Sequence, residues 1–147
     1  MGVTRRDHAL LPLIVLGGSL GTCGRALQEG AFPPSPGGWP WATFGANLAG
    51  ALLLGLLLEA LARTGPDTGW RRRARLTVGT GLLGGYTTYS TFAVEVSQLS
   101  REAPYLLGAA YAVTSVLLGL AAAAAGFAIA RRFTPRRTVP GGQGPAS

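Results

Sequence analysis

"TGLLGGYTTYSTFAVEV", Thr80 to Val96, lies within an apolar chain, yet it sets Gly84-Gly85 directly before six consecutive hydroxyl side chains, Tyr86 to Thr91. In lipid every backbone polar group needs a partner, so irregular backbone at membrane depth survives only where protein or a cavity surrounds it. A break there frees carbonyl oxygens that can coordinate a cation and N–H groups that can face an anion. A lone glycine or threonine would serve close packing or a hydrogen bond to a neighbouring turn. Six hydroxyls beside a glycine pair favour a functional break, expected at Gly84-Gly85.

The rest of the chain supplies the membrane context. Of its 147 residues 48% are hydrophobic, 13% are charged and 23 are glycine, and glycine is commoner in membrane helices than in soluble ones. The 13 basic residues are all arginines; they flank long apolar runs and form no basic face of the kind nucleic acid requires. The single Cys23 excludes an internal disulfide. "LGTC" (Leu20–Cys23) is only loosely like a lipoprotein cleavage site, and three membrane segments follow it. His8 is the one histidine, so a His-based catalytic or metal site has almost no material, and no enzyme is expected.

A helix needs about 20 mainly apolar residues to cross a hydrocarbon core about 30 Å thick. Four segments fit: Ala9–Leu27, Trp41–Leu61, Leu76–Leu99 and Tyr105–Ala130. The sequence therefore predicts an all-α membrane protein with four transmembrane helices, the third broken at mid-membrane. Residues 1–8 form a cytoplasmic N-terminus, 9–132 the four-helix domain and 133–147 a disordered basic tail. Between the spans lie "GAFPPSPGGWP", which cannot continue a helix, the basic "RTGPDTGWRRRAR" and the tight "SREAP".

Arg5, Arg6, Arg63, Arg71, Arg72, Arg73, Arg75, Arg131, Arg132, Arg136 and Arg137 fall on one side of this layout, and only Arg25 and Arg101 on the other. The positive-inside rule then puts both termini of a multi-pass cell-membrane protein in the cytoplasm.

Beyond the break, Thr88, Thr91 or Phe92 and Glu95 follow helical spacing on one face. Glu95 has no basic neighbour in sequence; it is either an intramembrane functional group or a carboxylate reaching interfacial water. "TFGANLAG" puts Thr43, Asn47 and Gly50 on one face of the second helix, where the amide joins helices or donates to an anion. Gly17 and Gly21 form a GxxxG pair, ordinarily a packing device. Tyr111, Thr114 and Ser115 are polar groups in an alanine- and leucine-rich fourth span.

Taken together, "GGSLGTCGR", "TFGANLAG", "GGYTTYSTF" and "YAVTS" resemble the CrcB/Fluc fluoride channel family, in order and across all four spans. The resemblance implies a passive fluoride exporter that lowers cytoplasmic fluoride, built as an antiparallel dimer with two pores along the subunit interface. It implies a structural, untransported sodium ion at the dimer centre, held by the backbone carbonyls of Gly84 and Thr87. It assigns Asn47, Tyr89, Phe92, Tyr111, Ser115 and Glu95 to the fluoride path, and Arg25 to a structural or vestibule role. The family often carries phenylalanine where this chain has Tyr86 and Tyr89. Its homodimers insert in both orientations, which calls for balanced flanking charge. The arginine bias instead points to a partner that is an oppositely oriented paralogue, favoured over a second copy of this chain. A coupled four-helix exporter would need a carboxylate in the first span, and none lies between His8 and Gln28. A non-conducting or assembly subunit is the other alternative, against which stands the whole third-span motif.

Overall fold

The computed structural model describes residues 10–102 and 104–135. Its elements are α1 (Leu11–Ala31), α2 (Trp41–Thr64), α3 (Gly69–Ala74), a π-helical stretch (Arg75–Leu83), α4 (Gly84–Tyr86), α5 (Ser90–Glu102) and α6 (Tyr105–Phe133). No strand occurs among the described residues. The protein is thus four helical segments, the third of them composite, running from α3 through the π stretch and α4 to α5. Two, α2 and α6, are long and apolar enough to cross a membrane.

Proline marks the entrances. Pro12 sits in the first turn of α1, and Pro40 and Pro104 immediately precede α2 and α6. There proline's missing N–H removes nothing, since the first turn's N–H groups have no intrahelical partner. α1 runs four residues beyond the expected end at Leu27, and α6 runs on to Phe133, the first residue assigned to the tail. Residues 1–8, the tail from 136 onward, and with them Arg5, Arg6, Arg136 and Arg137, lie outside the described residues.

α2 runs along α6, α1 packs on the π stretch and α4, and α5 packs on α6. Glycine brings the backbones into contact in the first two of these pairings. A Cβ on Gly55 would stand 2.2 Å from the Ala123 carbonyl oxygen, and one on Gly126 2.0 Å from that of Leu52. Where α1 packs on the π stretch, a Cβ on Gly17 would meet the Thr77 oxygen at 2.3 Å and one on Gly21 the Leu82 oxygen at 2.0 Å. The GxxxG pair is therefore a packing device, as its spacing suggested.

The glycine pair of the third segment does not itself interrupt the helix. Gly84 has ordinary helical angles, φ −64° and ψ −33°, and a Cβ on Gly85 would lie 2.3 Å from the Gly18 oxygen. Gly85 is there to admit α1. The helix ends three residues beyond the pair's first member, at Thr87, whose φ of −81° and ψ of 154° are extended. The π stretch was not foreseen. It contains Thr77, Val78, Gly79 and Gly81, residues of weak α-helical preference, and a Cβ on Gly81 would come within 2.8 Å of the Ile14 oxygen.

At one end, Arg63 donates from Nε to the Thr134 carbonyl at 2.6 Å, joining the ends of α2 and α6. Arg71 donates to the Thr64 carbonyl at 2.8 Å, closing the end of α2. Arg75 forks onto Asp67, with contacts of 2.7, 3.0 and 3.1 Å.

Two predictions follow from these contacts. Gly21→Ala is expected to lower stability by about 1–3 kcal/mol through overpacking, whereas Gly119→Ala, with open space around it, should cost nothing; thermal melts in detergent compare them. Hydrogen bonding from Arg75 holds the Asp67 carboxyl below its ordinary value of 3.8. A depressed folded value contributes stability above the unfolded one, lost as the pH falls. The small melting difference between the chain and Asp67→Asn should therefore be present at neutral pH and vanish as the pH is taken well below 3.8.

Candidate functional site

The site is built around the non-helical residues Thr87, Thr88 and Tyr89. Asn47, on α2, grips this stretch with both ends of its amide. Its Nδ2 donates to the Thr88 carbonyl at 3.0 Å, and its Oδ1 accepts from the Thr88 N–H at 2.8 Å. One turn on, Gly50 leaves room for the Thr87 methyl, which would lie 2.1 Å from a Cβ there. The shared face of Asn47 and Gly50 thus seats the interruption.

The consequence for the backbone is specific. In an α-helix the Gly84 carbonyl would accept from the Thr88 N–H, and the Thr87 carbonyl from the Thr91 N–H. The first donor is turned to Asn47. The second is turned to the Thr88 hydroxyl, at 3.2 Å. Both carbonyls have lost their helical donors. The Gly85 carbonyl, by contrast, lies 3.4 Å from the Thr22 hydroxyl and 3.5 Å from Arg25 Nε on α1.

Gly84, Thr87, Asn47, Tyr89, Phe92 and Ser115 all line one groove of about 420 Å³. The Ser115 hydroxyl is buried in the wall of this groove. Tyr89 is 81% exposed, with its ring centroid 6.1 Å from that of Phe92.

Glu95 and Tyr111 stand beside this groove rather than in it. Glu95 accepts from the Thr43 hydroxyl at 2.6 Å and from the Tyr111 hydroxyl at 2.8 Å. Thr43 and Tyr111 are the two largest fully buried side chains, so the carboxylate ties α5 to both α2 and α6. Rings connect the two regions: Phe92 lies 5.4 Å from Tyr111, which in turn lies 5.2 Å edge-on from Trp39. The carboxylate is joined to these two protein hydroxyls, with a smaller cavity also lined by Glu29, Thr43 and Thr91 alongside.

Arg25 is not in the groove. It pairs with Glu29 one turn on, at 2.9 Å. Beside it, Gln28 was missed by sequence reasoning. Its Nε2 donates to the Ala42 carbonyl at 3.0 Å, and its Oε1 accepts from the Tyr86 hydroxyl. Tyr86 thus points its hydroxyl at α1, one of the six hydroxyls that structure uses for itself. Trp39 was also missed, having the look of a loop residue among prolines and glycines. A glutamine immediately after the expected end of the first span was the available signal for the first; nothing in sequence marked the second.

The family model described as "CrcB-like protein, Camphor Resistance (CrcB)" matches residues 12–127. The "Fluoride-specific ion channel FluC 1" of Cutibacterium acnes is 48% identical over 118 residues, 80% of this chain and 82% of that one. The "Fluoride-specific ion channel FluC 2" of Leifsonia xyli subsp. xyli is 45% identical over 127 residues, 86% and 87% of the two chains. A "Fluoride-specific ion channel FluC 1" of Mycobacterium bovis is 38% identical over 131 residues, 89% of this chain and 97% of its own.

Replacing Asn47 by Leu removes a donor and an acceptor at once and strands the Thr88 N–H and carbonyl. The expected loss is about 0.5–1.5 kcal/mol for each of the two part-buried hydrogen bonds removed. Hydrogen exchange at the Thr88 amide should accelerate more than at amides within α2, and the melting temperature should fall.

Proposed function

The chain belongs to the CrcB-like family, and on that footing we infer that it is a fluoride-specific ion channel, letting fluoride leave the cytoplasm passively through the cell membrane. The observation that carries the reading is the groove. It gathers the Asn47 amide, the Ser115 hydroxyl and the rings of Tyr89 and Phe92 along one surface. Fluoride is small and strongly hydrated, and moving an ion of such charge into a low-dielectric interior costs about 20 kcal/mol in the idealised Born limit. Amide and hydroxyl donors and the electropositive edges of rings each replace part of that hydration. Several weak sites in series allow exit as well as entry, which one strong cationic trap would not. Arg25, already paired with Glu29, sets no such trap in the groove.

The Gly84 and Thr87 carbonyls fit a structural cation. They are hard oxygen donors whose helical N–H partners are diverted, the condition under which unwound backbone holds sodium. Sodium there would supply fixed positive potential and link what it touches. Two oxygens are few for a cation, and an antiparallel second subunit would bring a matching pair while covering the exposed Tyr89. The interruption at Thr87–Tyr89 then lies at mid-membrane, beside the subunit interface. In the path itself, Asn47, Phe92, Tyr89 and Ser115 line the way, with Tyr111 and Glu95 forming its polar flank.

The arginine distribution favours a specific second subunit. Arg63, Arg71, Arg72, Arg73, Arg75, Arg131 and Arg132 flank the ends of α2 and α6 and the start of the third segment, and the positive-inside rule puts these, with both termini, in the cytoplasm. A chain held in one orientation needs an oppositely oriented paralogue to complete an antiparallel pair.

Fluoride efflux from liposomes tests both readings. The chain reconstituted with an oppositely charged paralogue is expected to release fluoride without a proton gradient. Asn47→Leu should slow release at least about tenfold, the equivalent of one hydrogen bond to a charged group, and Phe92→Ala, which removes a ring edge from the groove, should slow it as well. Equal efflux from the chain alone would sink the heterodimer and leave the channel standing. Silence in both preparations would leave a non-conducting subunit.

A further inference from the structure

Away from the groove, a cavity of about 340 Å³ lies where the end of α2 meets the connection to the third segment. One wall is apolar, formed by Leu58, Leu61 and Ala62; the other carries Asp67, Arg71 and Arg75. α2 is one of the two helices able to cross a membrane, so its last turns and this cavity stand at the edge of the bilayer. Trp70, beside it, is 60% exposed and lies with its ring centroid 5.4 Å from the Arg71 guanidinium. An exposed tryptophan next to arginines is typical of the headgroup layer, where one end of a side chain meets hydrocarbon and the other water.

The polar wall is organised. Arg71 is anchored by its Nε to the Thr64 hydroxyl at 3.3 Å and by its Nη2 to the Thr64 carbonyl at 2.8 Å. Neither bond uses its Nη1. Gly65, with φ of +139°, makes the turn that lets the guanidinium lie against the chain, 3.0 Å from where a Cβ would stand. Arg75 is committed to Asp67, whose carboxyl it holds ionised throughout the neutral range. The cavity wall therefore carries one net positive charge, contributed in effect by Arg71, with Arg72 and Arg73 next in the chain.

We propose that this cavity binds the phosphate of an anionic phospholipid headgroup, with the acyl chains running along Leu58 and Leu61 on α2. The charge matches a singly charged phosphodiester. The guanidinium is a planar donor suited to phosphate oxygens, and basic pockets at the ends of membrane helices are places where such headgroups bind. A zwitterionic headgroup brings its own cation toward three consecutive arginines and is disfavoured. The leucine wall distinguishes a lipid from a free anion, which has no use for an apolar surface. The site does not depend on what the groove conducts.

The test uses the full chain purified in uncharged detergent and titrated with short-chain phosphatidylglycerol, short-chain phosphatidylcholine or inorganic phosphate, followed by melting temperature. Phosphatidylglycerol is expected to raise it by several degrees, and the other two to leave it unchanged. Arg71→Gln should abolish the rise, and Asp67→Asn, which adds a net positive charge, should shift it to lower lipid concentration. Because Arg71 also closes α2, folding of its variant is checked by far-UV circular dichroism and a cooperative melt in lipid-free detergent; should that variant not fold, the Asp67→Asn shift decides. An equal rise with phosphatidylcholine, an equal rise with inorganic phosphate, a full rise in a folded Arg71→Gln chain, or weaker lipid binding by Asp67→Asn would each overturn the proposal.

Discussion

The two hydrogen bonds between the Asn47 amide and the Thr88 backbone are the constraint on which the third segment depends. Extended backbone amid apolar helices is tolerable only if its N–H and carbonyl find partners. Asn47 supplies both from a neighbouring helix and so fixes where the helical ladder stops. Because the Thr88 N–H is taken, the Gly84 carbonyl goes without it. Because the Thr88 hydroxyl takes the Thr91 N–H, the Thr87 carbonyl is released as well. Two side chains, Asn47 and Thr88, thereby turn a stretch of helix into a short row of available oxygens, with Tyr89 and Phe92 along the same groove.

Around this point the molecule is stiffened by two different means. Backbone-to-backbone contact through glycine holds α1 against the third segment and α2 against α6. Such contact leaves little room to slide, since the nearest neighbour is a carbonyl oxygen rather than a flexible side chain. The second means is polar: Glu95 gathers hydroxyls from α2 and α6 to α5, the arm beyond the interruption. Both arms use both means: the arm before it also bonds to α1 through the Gly85 carbonyl and the Tyr86 hydroxyl, and α6 approaches the backbone of the arm after it at Gly108.

Hydrophobic runs, prolines and arginine clusters made the helical segments legible in the sequence, with the starts at Trp41 and Tyr105 found to the residue and the ends to within a few. That third-segment motif also pointed to the right place, but its glycines were given the wrong task. Local preference says that Gly84-Gly85 should end a helix; the approach of α1 to Gly85 and the capture of Thr88 by Asn47 decide otherwise. Both are tertiary contacts over a separation of dozens of residues, which no local pattern reports. The π-helical turns before the pair were illegible for the same reason. Grouping of Asn47, Phe92 and Ser115 became readable only by resemblance, because a polar residue in an apolar span announces a partner without naming it.

Gln28 carries a further consequence for how this chain can vary. Its amide is shared between the Ala42 carbonyl and the Tyr86 hydroxyl, so three segments converge on one uncharged side chain. The tyrosine hydroxyl and the glutamine oxygen are each other's solution to being in an apolar place. Neither can be lost alone without stranding the other, whereas a paired change to two apolar residues of similar shape removes the need on both sides. Relatives are therefore expected to keep or discard these two positions together, and the pair forms a single heritable unit although its members lie on different helices.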